Sequence, residues 1–283
     1  MDFLQEIIRN KLDENILSYK ECTGGSINEV FECKTKNHHV AIKLNQANRF
    51  PRMFEAEVKG LTLLGDSNFR IPKVLGTGQL ENRSYLILEY IDSRGAQLNS
   101  AIMGAKLAQM HQMSSEDFGL DHNNYIGAIA QENTAHRQWT HFYQSMRIEP
   151  LVKTAFDKSL MDKKMMHSFD AFCGKLDDLI PKESPSLIHG DLWQGNVICD
   201  EHSNPVLIDP AVYYGHREMD IAMLLLFGSI HEDSITAYNE IYPLESQWEK
   251  RTEIHQLYPL LVHLILFGSS YLGNIQNIVK KYV

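Results

Sequence analysis

Three oxygen-bearing side chains stand out by their spacing in the 283-residue sequence. Asp191 lies in the run His-Gly-Asp-Leu-Trp-Gln-Gly-Asn at 189–196, which ends at Asn196, and Asp209 follows a short apolar run further on. Phosphoryl transfer from Mg-ATP requires an Asp to orient and deprotonate the acceptor hydroxyl, and Asn and Asp oxygens to hold magnesium. Singly, each residue is equally typical of a turn or a cap. Together, they predict a kinase-type loop with Asp191 as general base and Asn196 and Asp209 as metal ligands.

A lysine in an apolar strand is the second candidate. The alternating run Val-Ala-Ile-Lys at 40–43 directs Lys43 out of an otherwise apolar segment. A lysine in this position can contact the α- and β-phosphates of ATP when a glutamate from a nearby helix holds it. Glu55 and Glu57 follow in a helix-like run and are the partner candidates. The alternative is that Lys43 is a solvated strand lysine.

Two further segments are predicted to contact the nucleotide through the backbone. Gly24, Gly25 and Ser26 form a turn ahead of Lys43, where glycines allow backbone amides to approach phosphate oxygens. An ordinary tight hairpin explains the same residues. At the end of the strand 85–90, the backbone groups of Glu89 and Ile91 are expected to bind adenine.

The pattern of apolar residues predicts the elements that position these groups. A leading helix over 2–17 and a helix over 54–64 accompany five short strands. The predicted strands are 19–23, 27–35, 39–44, 73–79 and 85–90, and the helices of the C-terminal part are 98–113, 134–149, 163–180, 217–229, 233–241 and 247–282.

This pattern predicts an α+β, bilobal, protein-kinase-like fold. Residues 1–91 would form a small nucleotide-binding lobe, with a five-stranded antiparallel sheet plus a helix. Residues 92–283 would form a larger, α-helical lobe that carries the catalytic loop and the substrate site. Such a pair of lobes clasps a nucleotide in a cleft.

Composition excludes some classes of partner. With 27 basic and 36 acidic residues the net charge is −9, which argues against binding nucleic acid. The four cysteines show neither metal-ligand spacing nor a disulfide pattern. The N-terminus is unlike a signal peptide, and the apolar stretch 257–272 is too short to span a bilayer. A cytoplasmic protein without a membrane partner is predicted.

Aromatic residues flank the proposed base. Trp193 lies two residues after Asp191, where a flat ring would wall the acceptor site and suit the CH face of a sugar. The alternative is a tryptophan of the core. The polar and aromatic cluster at 213–218 follows Asp209 and includes Tyr214 and His216; it binds substrate or only orders the loop.

The chain resembles the fructosamine kinase (ketosamine 3-kinase) family, within the aminoglycoside phosphotransferase and choline kinase superfamily. The most specific matches are the run at 189–196 and Asp-Pro-Ala-Val-Tyr-Tyr-Gly-His-Arg-Glu-Met-Asp at 209–220. The resemblance implies that Glu57 is the partner of Lys43 and that Asp220 braces the catalytic loop. It also places residues on the substrate side. These are His189, Trp193, Tyr214, His216, Gln131 and Trp139, with Asn133 and Arg147 as further family positions.

The implied reaction is transfer of the ATP γ-phosphate, with magnesium, to the 3-hydroxyl of a ketosamine, leading to deglycation of proteins or metabolites. Ribulosamines and erythrulosamines are expected before fructosamines. Ser26 stands where many relatives carry a cysteine, so a disulfide dimer through that position is excluded and a monomer or weak dimer is expected. The alternatives are a kinase of the same fold acting on an aminoglycoside, choline or a sugar, and a nucleotide-binding pseudokinase.

Overall fold

The structure of the chain, a computed structural model, describes residues 2–22, 27–92, 96–228 and 230–283. It divides into two compact units. Unit 1 comprises Met1–Leu98 and Ile198–Ile208, and unit 2 comprises Asn99–Val197 and Asp209–Val283. The division along the chain thus falls later than the expected residue 91. It also assigns a short segment after the catalytic loop to unit 1, which the sequence analysis did not anticipate.

Unit 1 is built on a five-stranded antiparallel sheet with the strand order β1-β2-β3-β5-β4. The predicted sheet is therefore confirmed. Two helices accompany it, α1 (Asp2–Leu12) and α2 (Met53–Gly65). The strands are β1 (Ser18–Glu21), β2 (Glu29–Lys34), β3 (His39–Gln46), β4 (Val74–Leu80) and β5 (Arg83–Glu89).

Side-chain alternation along the strands divides the core of unit 1 in two. Successive strand residues point to opposite faces of a sheet. Val40, Ile42 and Leu44 of β3 pack with Leu4, Ile7 and Ile8 of α1. Leu86 and Leu88 of β5 pack with Phe54 and Leu61 of α2. The sheet therefore lies between two helices, and Lys43 points to the face opposite Ile42.

Unit 2 is mostly helical, as predicted. The helices are α3 (Ser100–His111), α4 (Trp139–Phe142), α5 (Glu149–Asp157), α6 (Lys163–Cys173), α7 (Leu176–Leu179), α8 (Glu218–Leu226), α9 (Glu232–Ile241), α10 (Trp248–Phe267) and α11 (Leu272–Tyr282). A π-helical turn, Tyr143–Ile148, joins α4 to α5.

Three predicted helices of unit 2 differ from the observed ones. The helix predicted over 163–180 is divided into α6 and α7. The helix predicted over 134–149 begins only at Trp139. The helix predicted over 247–282 breaks at Gly268, whose φ of 95° lies in the left-handed region that glycine tolerates. Helical periodicity continues across this break, because both α10 and α11 contribute apolar residues to one core.

Short strands frame the loops of the structure. In unit 2, β6 (Asn124–Ile126) pairs with β7 (Ile129–Gln131), and β8 (Ser186–Ile188) pairs with β11 (Tyr213–Gly215). The strands β9 (Val197–Cys199) and β10 (Pro205–Leu207) form a further two-stranded sheet. Strands of three residues are too short to show alternation, which explains why β6 and β7 were not predicted.

Helix α10 is the longest helix and lies in the core of unit 2. Its residues from Leu257 to Leu264 are buried except His263, and they include Pro259. Among the described residues, no helix has the length and apolar character needed to cross a membrane.

Candidate active site

The loop that carries Asp191 begins directly after β8 and depends on a glycine. Gly190 adopts a φ of +80°, and a Cβ at this position would lie 2.2 Å from the carbonyl oxygen of Ala211. No other residue type avoids both the left-handed strain and this clash. The glycine therefore lets the loop approach the segment that follows Asp209.

Asp220, in the first turn of α8, fixes the backbone of this loop through hydrogen bonds. Its carboxylate accepts hydrogen bonds from the backbone N–H of His189 at 2.7 Å and of Gly190 at 3.0 Å. It also lies 3.2 Å from Nε2 of His111 on α3. Since all these groups are buried or half-buried, the bonds are little weakened by solvent. The predicted structural role of Asp220 is observed.

Asn196 is tied directly to the proposed base. Its Nδ2 donates to the main-chain oxygen of Asp191 at 2.8 Å and to Oδ2 of Asp191 at 3.1 Å. The amide nitrogen is thus committed to Asp191, and the amide oxygen is the atom that Asn196 can offer to a cation.

The acidity of Asp191 reflects its surroundings. Burial, and then the nearby charge of Asp209, raise the pKa of Asp191 to about 7, against the opposing hydrogen bond from Asn196. A carboxylate with a pKa near neutrality is suited to accept a proton from a hydroxyl.

The donors gathered here fit a magnesium ion. Asp209 is exposed and offers a carboxylate, and Asn196 offers its amide oxygen. Oxygen ligands of this kind suit Mg²⁺, which takes few protein ligands and completes its shell with phosphates and water. After burial, the charge of Asp209 is the second cause that raises the pKa of Asp191, and a bound cation would offset the effect of that charge. Asp209 has a φ of 54°, which is unusual for a residue other than glycine and is frequent at functional sites.

A buried polar network supports the chain after Asp209. Gln131 donates to Ala211 O at 3.1 Å and to Oδ1 of Asn124 at 2.7 Å, and its own oxygen accepts from Tyr258 at 2.6 Å. Asn124 in turn donates to Val212 O at 2.8 Å. All polar atoms of the Gln131 side chain are therefore engaged, and they hold the backbone at 211–212.

Two other family positions extend this network. Nη2 of Arg147 donates to Oδ1 of Asn133 at 2.6 Å, and Nδ2 of Asn133 donates to Asn124 at 2.9 Å. The Arg147 guanidinium lies 4.0 Å from the centroid of the Tyr213 ring. Both Arg147 and Asn133 are fully buried. Both side chains support the backbone after Asp209 from the interior of unit 2, and neither lines an open site.

Unit 1 carries the predicted lysine–glutamate pair. Nζ of Lys43 lies 2.7 Å from Oε1 and 2.8 Å from Oε2 of Glu57, and both side chains are over 90% buried. Glu55 instead is exposed and pairs with Arg52 at 2.7 Å. Burial strengthens the ion pair and holds the ammonium in one place, so Glu57 is the structural partner of Lys43.

The other predicted nucleotide contacts are less defined. Gly24, Gly25 and Ser26 lie outside the described residues. The side chain of Glu89 is held by Arg70 at 2.8 Å, while Ile91 is buried. The side chain of Glu89 is thus engaged within unit 1, and the prediction that this segment uses main-chain atoms remains a prediction.

Burial corrects part of the predicted substrate side. His189 and His216 have no exposed surface, Trp139 is 4% exposed and packs on Phe142 and Tyr143, and Gln131 is committed as above. Because these four side chains expose at most 4% of their surface and contact other residues of unit 2, we interpret them as positioning residues in this structure. The spacing of these residues relative to Asp191 and Asp209 could not reveal their burial, because burial depends on packing against segments that are distant along the chain.

Two of the predicted substrate residues retain exposed surface. Trp193 is 39% exposed, so it is not a core tryptophan. Tyr214 is half-buried and its backbone pairs with Leu187 in the β8–β11 sheet. These two residues remain candidates for contact with the acceptor.

His216 belongs to a buried cluster with Glu218 and His255. One ligand atom of each residue lies within 4.8 Å of the others, an arrangement that could hold a metal ion. However, Arg251 donates to both oxygens of Glu218, at 2.5 and 3.1 Å, and already compensates its charge. A cation added beside a carboxylate whose charge is already compensated would be a buried excess charge. We therefore assign this cluster to the architecture of unit 2.

His111 supports the catalytic loop in a role that the local sequence around it does not indicate. Its two ring nitrogens contact Asp220 and, at 2.8 Å, the hydroxyl of Tyr238. The signal available was only a histidine in the last turn of a predicted helix. Nothing local distinguishes it from a histidine that caps the helix.

These features define a phosphotransferase of the protein-kinase-like type. Unit 2 contributes a loop with Asp191 and Asn196 that Asp220 holds, followed by Asp209. Unit 1 contributes the Lys43–Glu57 pair on a five-stranded sheet. Comparison with known proteins agrees and is more specific. The sequence pattern of the fructosamine kinase family matches residues 2–283, and the chain belongs to this family.

Relatives of known sequence cover nearly the whole chain. A protein of Enterococcus faecium named as a probable ketoamine kinase is 36% identical over 262 residues, covering 92% of this chain and 93% of the relative. A chloroplastic protein-ribulosamine 3-kinase of Arabidopsis thaliana is 34% identical, covering 92% of this chain and 81% of the relative.

Solved structures confirm the predicted fold class. The crystal structure of a fructosamine-3-kinase homologue from Thermobifida fusca superposes with a TM-score of 0.89 at 31% identity, covering 99% of this chain and 98% of the other. An aminoglycoside phosphotransferase bound to AMP-PNP and hygromycin B superposes with a TM-score of 0.65 at 14% identity, covering 99% and 98%, which shows a shared fold alone. As a member of a kinase family, the protein uses ATP.

Proposed function

We propose that this protein transfers the γ-phosphate of ATP to the 3-hydroxyl of a ketosamine, a sugar joined through its carbon 1 to an amine. The products are ADP and the ketosamine 3-phosphate. The observation that carries the proposal is the tie between Asp191 and Asn196 in a loop braced by Asp220. A nucleotide-binding module would not require a base at this place.

In the proposed reaction Asp191 aligns the acceptor hydroxyl and accepts its proton as the oxygen bonds to the γ-phosphorus. Asn196 and Asp209 would hold Mg²⁺, which neutralises the charge of the phosphates when bound. Lys43, held by Glu57, is proposed to contact the α- and β-phosphates. Trp193 would lie against the sugar through its exposed ring.

The proposed substrates are adducts of short sugars, ribulosamines and erythrulosamines, before fructosamines. The similarity to the Arabidopsis protein-ribulosamine 3-kinase supports ribulosamines as substrates. Carbon 3 is adjacent to the carbonyl at carbon 2, and loss of a proton from carbon 1 gives an enol that expels the phosphate from carbon 3. Hydrolysis of the carbon–nitrogen double bond that results then releases the amine together with a 3-deoxy dicarbonyl sugar. The outcome would be deglycation of proteins or metabolites. A cytoplasmic location is consistent with the four free cysteines.

The proposal is tested with a panel of acceptors assayed for ATP-dependent phosphorylation. The panel contains erythrulosyl-, ribulosyl- and fructosyl-lysine, with kanamycin and choline as acceptors of related kinases. We expect phosphorylation of the lysine adducts, most rapidly with the shorter sugars, and none of kanamycin or choline. The Asp191→Asn variant should lose turnover by roughly 10²- to 10⁴-fold while still binding ATP.

Two results would contradict the proposal. Turnover of kanamycin or choline without turnover of any ketosamine would assign the protein to another kinase activity on this fold. If the wild type bound ATP but phosphorylated no acceptor, the protein would instead be a pseudokinase.

A further inference from the structure

Aromatic rings extend from Trp193 across the surface of unit 2. The Trp193 ring contacts Phe227 with centroids 6.1 Å apart, and Phe227 contacts His263 at 5.2 Å. His263 then contacts Phe267 at 5.3 Å and Tyr271 at 5.1 Å. We call these five residues the aromatic strip.

Three of the five rings of the aromatic strip are exposed to solvent, although large aromatic side chains that only stabilise a core are normally buried. Trp193, Phe227 and Phe267 keep 39%, 40% and 51% of their surface accessible. Single exposed aromatic residues are ordinary, but connected ones form a patch, and patches on soluble proteins commonly mark binding sites. The rings come from the catalytic loop, the end of α8 and the stretch 263–271 at and after the end of α10. Tertiary packing brings these three segments together.

The orientation of Trp193 is set by its neighbours. A Cβ placed on Gly195 would lie 2.2 Å from the Trp193 ring, so the ring packs directly over the backbone of Gly195. Phe227 meets the same ring edge to face, with an interplanar angle of 63°. The first ring of the strip is therefore held in place between the loop and α8.

The strip is also uncharged. His263 accepts no proton readily, because burial lowers its pKa. Its Nδ1 donates to the carbonyl oxygen of Pro259 at 2.7 Å, which sets the ring orientation. Aromatic faces of this kind attract alkyl chains through the hydrophobic effect and ammonium groups through cation–π interactions. They offer little to the hydroxyl groups of a free sugar.

We propose that the aromatic strip binds the amine carrier of the ketosamine, an alkylammonium chain such as a glycated lysine side chain with its flanking peptide. This inference rests on the proposed function. The strip begins at Trp193, two residues from the base Asp191, and the amine of a ketosamine is only a few bonds from the reacting hydroxyl. From Trp193 to Phe267 the ring centroids follow one another at 6.1, 5.2 and 5.3 Å, so the path along the strip corresponds to several extended residues of about 3.3 Å each.

Two substrates with the same sugar test the inference. One is ribulosyl-lysine within a short peptide, and the other is the ribulose adduct of methylamine, which has no carrier beyond the amine. Phe267→Ala should lower kcat/KM for the peptide about tenfold, through KM, because it removes a contact distant from the reacting atoms. The same variant should leave kcat/KM for the methylamine adduct unchanged.

A matched control is Phe156→Ala, since Phe156 is a phenylalanine of unit 2 outside the strip with a similar exposure of 39%. It should change neither substrate. An equal loss on both substrates in Phe267→Ala, or no loss on the peptide, would overturn the strip as a carrier site while leaving the proposed function intact. A wild-type protein that phosphorylates neither adduct would overturn the proposed function itself.

Discussion

The side-chain amide of Asn196 donates two hydrogen bonds to Asp191, one to its main-chain oxygen at 2.8 Å and one to its carboxylate at 3.1 Å. The proposed metal ligand and the proposed base are thus one connected unit. A change at Asn196 alters the position of Asp191 as well as the binding of magnesium.

Asn196→Ala should therefore lower kcat by roughly 10²- to 10³-fold. The substitution removes a proposed magnesium ligand and also the hydrogen bonds that hold Asp191 in position. The magnesium concentration needed for half-maximal activity should rise in the same variant. Steady-state kinetics over a magnesium titration measure both effects. Asn274→Ala, an exposed position on α11, serves as the control and should match the wild type. A normal magnesium dependence in Asn196→Ala would remove the metal role.

Asp220→Asn should reduce both stability and turnover. The carboxylate accepts from two backbone N–H groups and contacts His111, and an amide replaces one acceptor oxygen by a donor. Leaving a buried donor unsatisfied is expected to cost about 2 kcal/mol of the free energy of unfolding. Urea denaturation measures this term.

The positioning role of Asp220 requires a second readout. At a temperature where the variant is fully folded, kcat should fall while the affinity for ATP in a direct binding assay is retained. Asp157→Asn, which breaks an exposed pair with Lys153, should change stability by less than about 1 kcal/mol. Wild-type kcat in folded Asp220→Asn would show that the brace matters for stability alone.

The Lys43–Glu57 pair should act as one unit in ATP use. Lys43→Met is expected to raise KM for ATP and to lower kcat by roughly 10²-fold, and Glu57→Gln should give a smaller loss of the same kind. Because Glu57 acts through Lys43, the double variant should be no worse than Lys43→Met. Glu55→Gln is the control on the same helix, since Glu55 pairs with Arg52 at the surface. If the losses of activity in the two single variants added up in the double variant, Glu57 and Lys43 would act independently.

The buried His216 should make the protein less stable in acid. Burial, together with the nearby His255, lowers the pKa of His216 to about 4 from an ordinary value near 6.5. Since the folded-state pKa is depressed, the unfolded chain binds the proton more readily. Stability from the neutral imidazole is complete above about pH 6.5 and is lost as the pH falls towards 4, by up to roughly 3 kcal/mol.

His216→Asn keeps an acceptor near Nδ1, which receives the backbone N–H of Glu218 at 3.3 Å. The free energy of unfolding of this variant should fall less than that of the wild type between pH 6.5 and 4. Denaturant titrations at several pH values measure the slope. The exposed His167→Gln is the control and should keep the wild-type slope. Parallel curves for His216→Asn and the wild type would exclude this explanation of acid lability.

Local sequence pattern is enough to identify the chemical groups and their local positions. The spacing of Asp191, Asn196 and Asp209, and the strand alternation that turns Lys43 away from the α1 face, follow from covalent geometry and the two-residue period of a strand. Resemblance to a family then selected Glu57 over Glu55. The five strands and most helices were predictable for the same local reason.

Only the tertiary structure decided which of these groups are accessible and what supports them. His216 and Trp139 are buried, Gln131 is committed to the backbone at 211, and residues far apart in sequence form the aromatic strip. The physical reason is that burial and hydrogen-bond pairing depend on packing between segments distant along the chain. A local pattern states what a side chain can do, and the packing around it decides whether a ligand can reach it.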